Sequence, residues 1–308
     1  DLPRALAVAG AGIALAERWG ARRARVSCLA AVGSSHSLSG RWNEAQPLFE
    51  RALALARADG DRMEIAASAT NLGICAKKAG RFDEALALYG EALAIDRELG
   101  HVDAVSRRLN NIGNVHLERG RWAEALQVMQ EGLVLCQREV IESMRPYFEA
   151  AVGLALYELA DFDAAEPHFH RALDSARATG NGIIEMSSTC FLARLASRRG
   201  DEAGSLAQLQ QAARMASGMT SIGDLLDVAL YHGEWLRDRG RVAEAAALWR
   251  MAIAHPACEA GVRASAEAWL TALPPAARAA MAPQTTLEQV IERLLAERPP
   301  PGASPPNA

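Results

Sequence analysis

Glycine recurs along this chain at fixed intervals, and that spacing restricts the fold more than any other feature. Of the twelve positions numbered in multiples of twenty from 20 to 240, nine are Gly, and only Val140, Ala160 and Thr220 break the series. With 24 glycines in 308 residues, chance would place about one there. Every second position opens a mark of Gly, Arg and an apolar residue: Gly40-Arg41-Trp42, Gly80-Arg81-Phe82, Gly120-Arg121-Trp122 and Gly240-Arg241-Val242. Degenerate copies stand at Asp161-Phe162 and Gly200-Asp201. A fixed period of this length marks a chain built by stacking similar units, each touching its neighbours, rather than one globular core.

Composition narrows the class further. Hydrophobic residues make up 50 % of the chain, with 5 % aromatic and 23 % charged. Much of the apolar share is alanine, which costs least in a helix and lets backbones approach. The net charge of -4 is spread along the chain, so a basic stripe able to neutralise phosphates is missing and nucleic-acid binding is disfavoured. Five cysteines (Cys28, Cys75, Cys136, Cys190, Cys258) are far apart, odd in number and form no CxxC pair, which predicts free thiols and a cytoplasmic, reducing setting. No apolar run reaches the ~18 residues of a membrane span. The start, Asp1-Leu2-Pro3-Arg4, carries neither an initiator Met nor a signal-peptide pattern.

Residues 2 to 19 read as one helix, with Leu2, Leu6, Ala9, Ile13 and Ala16 on a shared face. Shifted by forty, it matches Ala45, Phe49, Ala52 and Leu53 in the second helix of a repeat. The expectation is therefore that the chain starts halfway through a repeat of a longer protein. From residue 22 to about 254 the pattern is helix, turn, helix, turn, with the glycines at helix ends, where positive φ is often required. Seven residues before each mark stands a small residue: Gly33, Gly73, Gly113, Gly153, Ala193 and Gly233. A mid-helix Gly costs about 1 kcal/mol against Ala, so its recurrence predicts close helix crossing. Nine after the mark stand Phe49, Tyr89, Met129, Phe169, Leu209 and Trp249, and Trp122 itself is expected to pack into the helix pair.

This register resembles the tetratricopeptide repeat. Asn71-Leu72-Gly73 and Asn111-Ile112-Gly113 match the first helix of that family's unit, and Ala85, Tyr89 and Ala92 match the second. The period of forty departs from the family's usual ~34 residues. The resemblance implies an all-α fold, a right-handed α-solenoid of antiparallel helix pairs. Residues 1–20 would be the second helix of a truncated repeat and 21–259 the repeats. A C-terminal cap is expected over 260–282, an extra amphipathic helix over 283–298 with a capping box at Thr285–Glu288, and a disordered tail over 299–308. The repeat at Asp201 is the weakest, since Glu202 replaces the aromatic and Gly204, Gly218 and Gly223 raise helix cost.

No sequence signature of an enzyme is present: no GxxxxGK[ST], GxSxG or HExxH, and no GxGxxG after a strand. The chain therefore reads as non-catalytic, with no cofactor. His168 and His170 diverge on a helix and cannot share a metal, so no metal site is expected. The resemblance implies that the first helices of each pair line a concave groove. Candidate contacts there are Asn71, Arg107, Asn110, Asn111, Asn114, Tyr147, Tyr157 and Arg194. Asn amides donate and accept, so they can grip an extended peptide backbone, and tyrosines supply anchors. The expected partner is a protein, a peptide or other domains of the parent chain, with no nucleic acid and no membrane. The principal reading is an interaction scaffold for a peptide or partner helix. The alternative is the sensor or regulatory region of a larger bacterial ATPase-linked transcription regulator or signalling protein, binding a small effector or a partner domain.

Overall fold

The computed structural model describes residues 2–219, 221–258, 260–275 and 286–298, and among these every regular element is a helix. The chain divides into two compact units, residues 1–144 and 145–308. The first holds α1 (Leu2–Arg18) and three helix pairs: α2 (Arg22–Leu38) with α3 (Trp42–Asp59), α4 (Arg62–Lys78) with α5 (Phe82–Glu98), and α6 (Val102–Glu118) with α7 (Trp122–Glu139). The second holds α8 (Arg145–Glu158) with α9 (Phe162–Thr179), α10 (Gly182–Arg198) with α11 (Glu202–Met219), α12 (Ile222–Asp238) with α13 (Val242–Ala254), then α14 (Ala260–Ala272) and α15 (Leu287–Ala296). Within each unit, successive helices up to α14 pack against one another.

The turn chemistry explains the glycine spacing. At the Gly120-Arg121-Trp122 mark, Gly120 has φ 66°, and the Arg121 N–H reaches back to the His116 carbonyl at 2.9 Å. That six-residue closure satisfies a helix-end carbonyl and needs a left-handed residue before it. Val140 and Ala160 hold the same conformation without Gly, at φ 57° and 63°. The turn is thus imposed by packing even where the sequence does not favour it. After Val140 the next helix begins late, at Arg145, with Pro146 in its first turn, where a missing N–H costs nothing.

The small residue before each mark makes room for the large one nine after it. A Cβ at Gly73 would stand 2.7 Å from the Tyr89 ring, at Gly113 2.4 Å from Met129, and at Gly233 2.4 Å from Trp249 Nε1. Phe49, Tyr89, Met129, Phe169, Leu209 and Trp249 are all buried, one in each helix pair. Where the small residue is Ala193, its partner is Leu209. Trp122 has a lesser place than expected. It opens α7 half-buried, as Trp42 and Phe82 open their helices, because a helix's first residue lies at the rim of the pair.

The weak repeat forms a continuous helix, α11, with eight buried residues. Gly204 serves a cap there: its N–H donates to Asp201 Oδ1 at 2.9 Å, and a Cβ would collide with that carboxylate. At the C-terminal end, α14 packs on α13, and α15 lies against α11, α12 and α13. The capping box of α15 is Thr286 with Gln289, one residue later than expected. Gln210 Nε2 donates to the Leu294 and Glu297 carbonyls at 3.0 and 2.9 Å, and Arg241 pairs with Glu297 at 2.8 Å. The tail expected over 299–308, the last part of the expected cap and Thr285 lie outside the described residues. So do the side chains of Leu2, Leu6 and Ala9.

Candidate functional site

In the first unit, α6 carries Arg107, Asn110, Asn111 and Asn114 at i, i+3, i+4 and i+7, a single stripe along one helix face. Arg107 is exposed, and the three asparagines are half-buried. Asn71 occupies on α4 the register of Asn111 on α6. None of these four amides hydrogen-bonds within the described residues, so their donors and acceptors remain available. Beside the stripe, Lys77 Nζ of α4 meets Glu118 Oε1 of α6 at 2.7 Å. Being partly exposed, that pair is worth at most about 1 kcal/mol, and it positions more than it stabilises.

In the second unit the same register turns aromatic. Positions forty apart place Phe191 and Tyr231 where Asn71 and Asn111 stand earlier. Tyr157, Phe191, Tyr231 and Trp269 then follow one another at ring distances of 5.7, 5.6 and 6.5 Å. Arg194 sits among all four, its guanidinium 4.4 Å from Tyr157, 5.2 Å from Phe191, 5.0 Å from Tyr231 and 5.7 Å from Trp269. Its Nε donates to Glu234 Oε2 at 2.6 Å, and the register again places these residues side by side on adjacent helices. Both side chains are about 10 % exposed, 10 % for Arg194 and 11 % for Glu234. Burial works against the Arg194 charge, yet the Glu234 carboxylate and the surrounding rings outweigh it and raise its pKa. Burial likewise raises the Tyr157 and Tyr231 hydroxyls, so both stay protonated.

The eight residues expected to line a groove therefore fall into different settings. Asn71, Arg107, Asn110, Asn111 and Asn114 come together on α4 and α6. Tyr147 is 39 % exposed near the start of α8. Tyr157 and Arg194 do meet, but inside the protein: Tyr157 is 4 % exposed, and Arg194 spends its charge on Glu234. Their expected role as open groove contacts gives way to a buried box that ties α8, α10, α12 and α14 together. Sequence reading missed Phe191, Tyr231 and Trp269. The forty-residue register held the signal for the first two, as a column that changes from Asn to aromatic.

Next to the box lies a cavity of about 150 Å³, lined among others by Arg194, Arg198, Ser205, Tyr231 and Trp235. Arg198 Nε donates to the Tyr157 hydroxyl at 2.9 Å, and its guanidinium lies 4.4 Å from the Phe162 ring. No carboxylate among the described residues pairs with Arg198. Elsewhere in this unit, Glu149 is fully buried and takes hydrogen bonds from His168 Nδ1 at 2.6 Å and Arg171 Nε at 3.1 Å. No group of three or more His, Cys, Asp or Glu among the described residues is placed to hold a metal. None of the described helices is long and apolar enough to cross a membrane.

Comparison with known proteins agrees with this geometry. The tetratricopeptide repeat profile matches residues 25–98 and 64–138. No curated protein matches the sequence. Among solved structures, BtubC (BKLC) from P. vanneervenii is 22 % identical, with a TM-score of 0.61 over 72 % of this chain and 93 % of that one. A Rap protein complexed with competence and sporulation factor is 13 % identical, with a TM-score of 0.61 over 89 % and 77 %. A signal transduction ATPase with numerous domains and a tetratricopeptide repeat sensor, from Pyrococcus horikoshii, is 13 % identical, with a TM-score of 0.60 over 83 % of this chain and 42 % of that one. At such identities the likeness is one of fold. The profile shows tetratricopeptide repeats over residues 25–138, and the likeness in fold, with the register of small and large residues, carries the same architecture beyond them.

Proposed function

We propose that the chain is a non-catalytic interaction scaffold whose first unit holds an extended peptide or a partner helix against α4 and α6. The observation that carries this reading is the Arg107–Asn114 stripe with Asn71: amides with no partner inside the protein, aligned on one face. Such a row suits a peptide main chain, which offers a donor and an acceptor at each residue. The fold likeness to a Rap protein solved with competence and sporulation factor supports the same use. Among the described residues no cysteine forms a disulfide, which fits a reducing, cytoplasmic setting. The test is selection of binders from a random peptide library on the whole chain, followed by titration of the selected peptide. Asn111→Ala and Arg107→Ala, both at sites outside the core, should each weaken it at least about fivefold, the loss of one or two hydrogen bonds. Variants that bind as well as the wild type would remove this face as the site.

A second reading has its own observation. The small recessed cavity of the second unit suits a small effector better than a polypeptide, and the sensor-bearing ATPase shares this fold. In that case the chain is the sensor region of a larger signalling protein or transcription regulator, and ligand binding shifts packing between neighbouring repeats.

A further inference from the structure

We propose that the cavity bounded by Arg194, Arg198, Ser205, Tyr231 and Trp235 is a binding site for a small aromatic monoanion, a planar ring carrying one carboxylate. This deepens the second reading by naming the class of ligand, and it is independent of the peptide face on α6.

Charge sets the sign. Glu234 is engaged by Arg194 at 2.6 Å and by Arg237 at 3.4 Å, and Asp238 is engaged by Arg237 at 2.6 Å. The lining thus holds three guanidiniums against two carboxylates, all mutually paired except Arg198. That group gives one N–H to Tyr157 and makes no ion pair among the described residues; the carboxyl within its electrostatic reach, Glu158, is pushed by burial toward its neutral form. A guanidinium presents a planar fork suited to a carboxylate.

Two further groups on the cavity wall lack partners. Ser205 is 1 % exposed and Trp235 is 4 % exposed, yet Ser205 Oγ and Trp235 Nε1 make no hydrogen bond. Buried hydroxyl and indole N–H groups are ordinarily satisfied, so an acceptor in the cavity accounts for both. The indole is held in place from one side, where the Arg239 guanidinium lies 3.8 Å from its ring. Residues with free donors on α10, α11 and α12 thus line one cavity, while the Tyr157 and Tyr231 rings supply an apolar wall.

Size limits the ligand. A cavity of about 150 Å³ equals the room of about five water molecules at ~30 Å³ each, which admits a single substituted ring and no folded peptide.

The experiment uses the whole chain labelled with 15N and follows the indole N–H resonance of Trp235, identified by its loss in Trp235→Phe. Benzoate is the probe, and benzamide, of the same shape without the charge, is the control. Benzoate should shift the resonance saturably, with benzamide at least tenfold weaker. Arg198→Gln, at an exposed residue outside the buried core, should weaken benzoate at least tenfold, and Ser205→Ala should weaken it severalfold. Equal response to benzamide, full benzoate affinity in Arg198→Gln, or no saturable shift up to ~10 mM, where even weak specific binding is visible, would each overturn the proposal. Amide hydrogen exchange separates this from the effector reading. Benzoate binding that leaves protection in α10 and α12 unchanged supports the ligand class and sinks the sensor role.

Discussion

Replacing Gly233 with Ala tests the packing rule on which the repeats are built. In an isolated helix the change should stabilise by about 1 kcal/mol. Here the new Cβ would stand 2.4 Å from Trp249 Nε1, 2.9 Å from Cδ1 and 3.0 Å from Cε2. Ordinary carbon contacts need about 3.5 Å, so the indole must retreat by roughly 1 Å. It has nowhere to go, because Trp249 is fully buried and its Nε1 donates to the Leu230 carbonyl at 3.0 Å. Overpacking costs about 1–3 kcal/mol, and a stretched or lost buried hydrogen bond about 1–3 more. Net of the helix gain, Gly233→Ala should destabilise by about 1–5 kcal/mol.

Gly113→Ala provides the contrast. Its Cβ would also meet its partner at 2.4 Å, but that partner is the terminal methyl of Met129, at the end of a flexible unbranched chain. The cost should fall within about 1 kcal/mol of zero, as the helix gain offsets the repacking. Trp249→Leu gives the third leg. It recreates the pairing of Ala193 with Leu209, so adding Gly233→Ala to it should be neutral or favourable. Urea unfolding by far-UV circular dichroism, with amide exchange of α6 and α12, reads each change in its own repeat. A Gly233→Ala protein as stable as the wild type, or equal losses at Gly113 and Gly233, would refute the reasoning.

Two further outcomes follow from local strain and burial. Val140, a β-branched residue at φ 57° and 72 % exposed, should give about 1 kcal/mol of stability on change to Gly: relief of about 1–3 kcal/mol of strain exceeds the backbone entropy cost, and a urea midpoint that does not rise would contradict it. His232 is 3 % exposed with both ring nitrogens unpaired, and burial first, then Arg241, lowers its pKa to about 4. The unfolded chain therefore binds the proton more readily, and the neutral ring's contribution, present above about pH 6.5, is lost as pH falls toward 4, by up to about 3 kcal/mol. His232→Leu, the residue type at positions 72 and 192 of the same register, should remove that slope, and parallel stability-versus-pH curves would exclude His232 as its source.

The period in the sequence was enough to determine the helices, their turns and the pairing of small with large residues. Each of these is local or repeats at a fixed offset: a left-handed turn wants Gly, a close crossing wants a missing Cβ, and a core column wants one large side chain per pair. Tertiary packing decided the rest. It forced Val140 and Ala160 into a turn their side chains disfavour. It also left Trp122 half-buried, since a mark in the sequence gives a position along the helix but not its depth.

The asparagine stripe was legible because its residues share one helix, where spacing alone defines a face. The fate of Tyr157 and Arg194 was not. Whether a polar side chain meets solvent or a buried partner depends on what the neighbouring helices bring, and here Phe191, Tyr231, Glu234 and Trp269 arrive from three different helices. The unpaired Ser205 and Trp235 could be recognised only once burial had removed water as their partner.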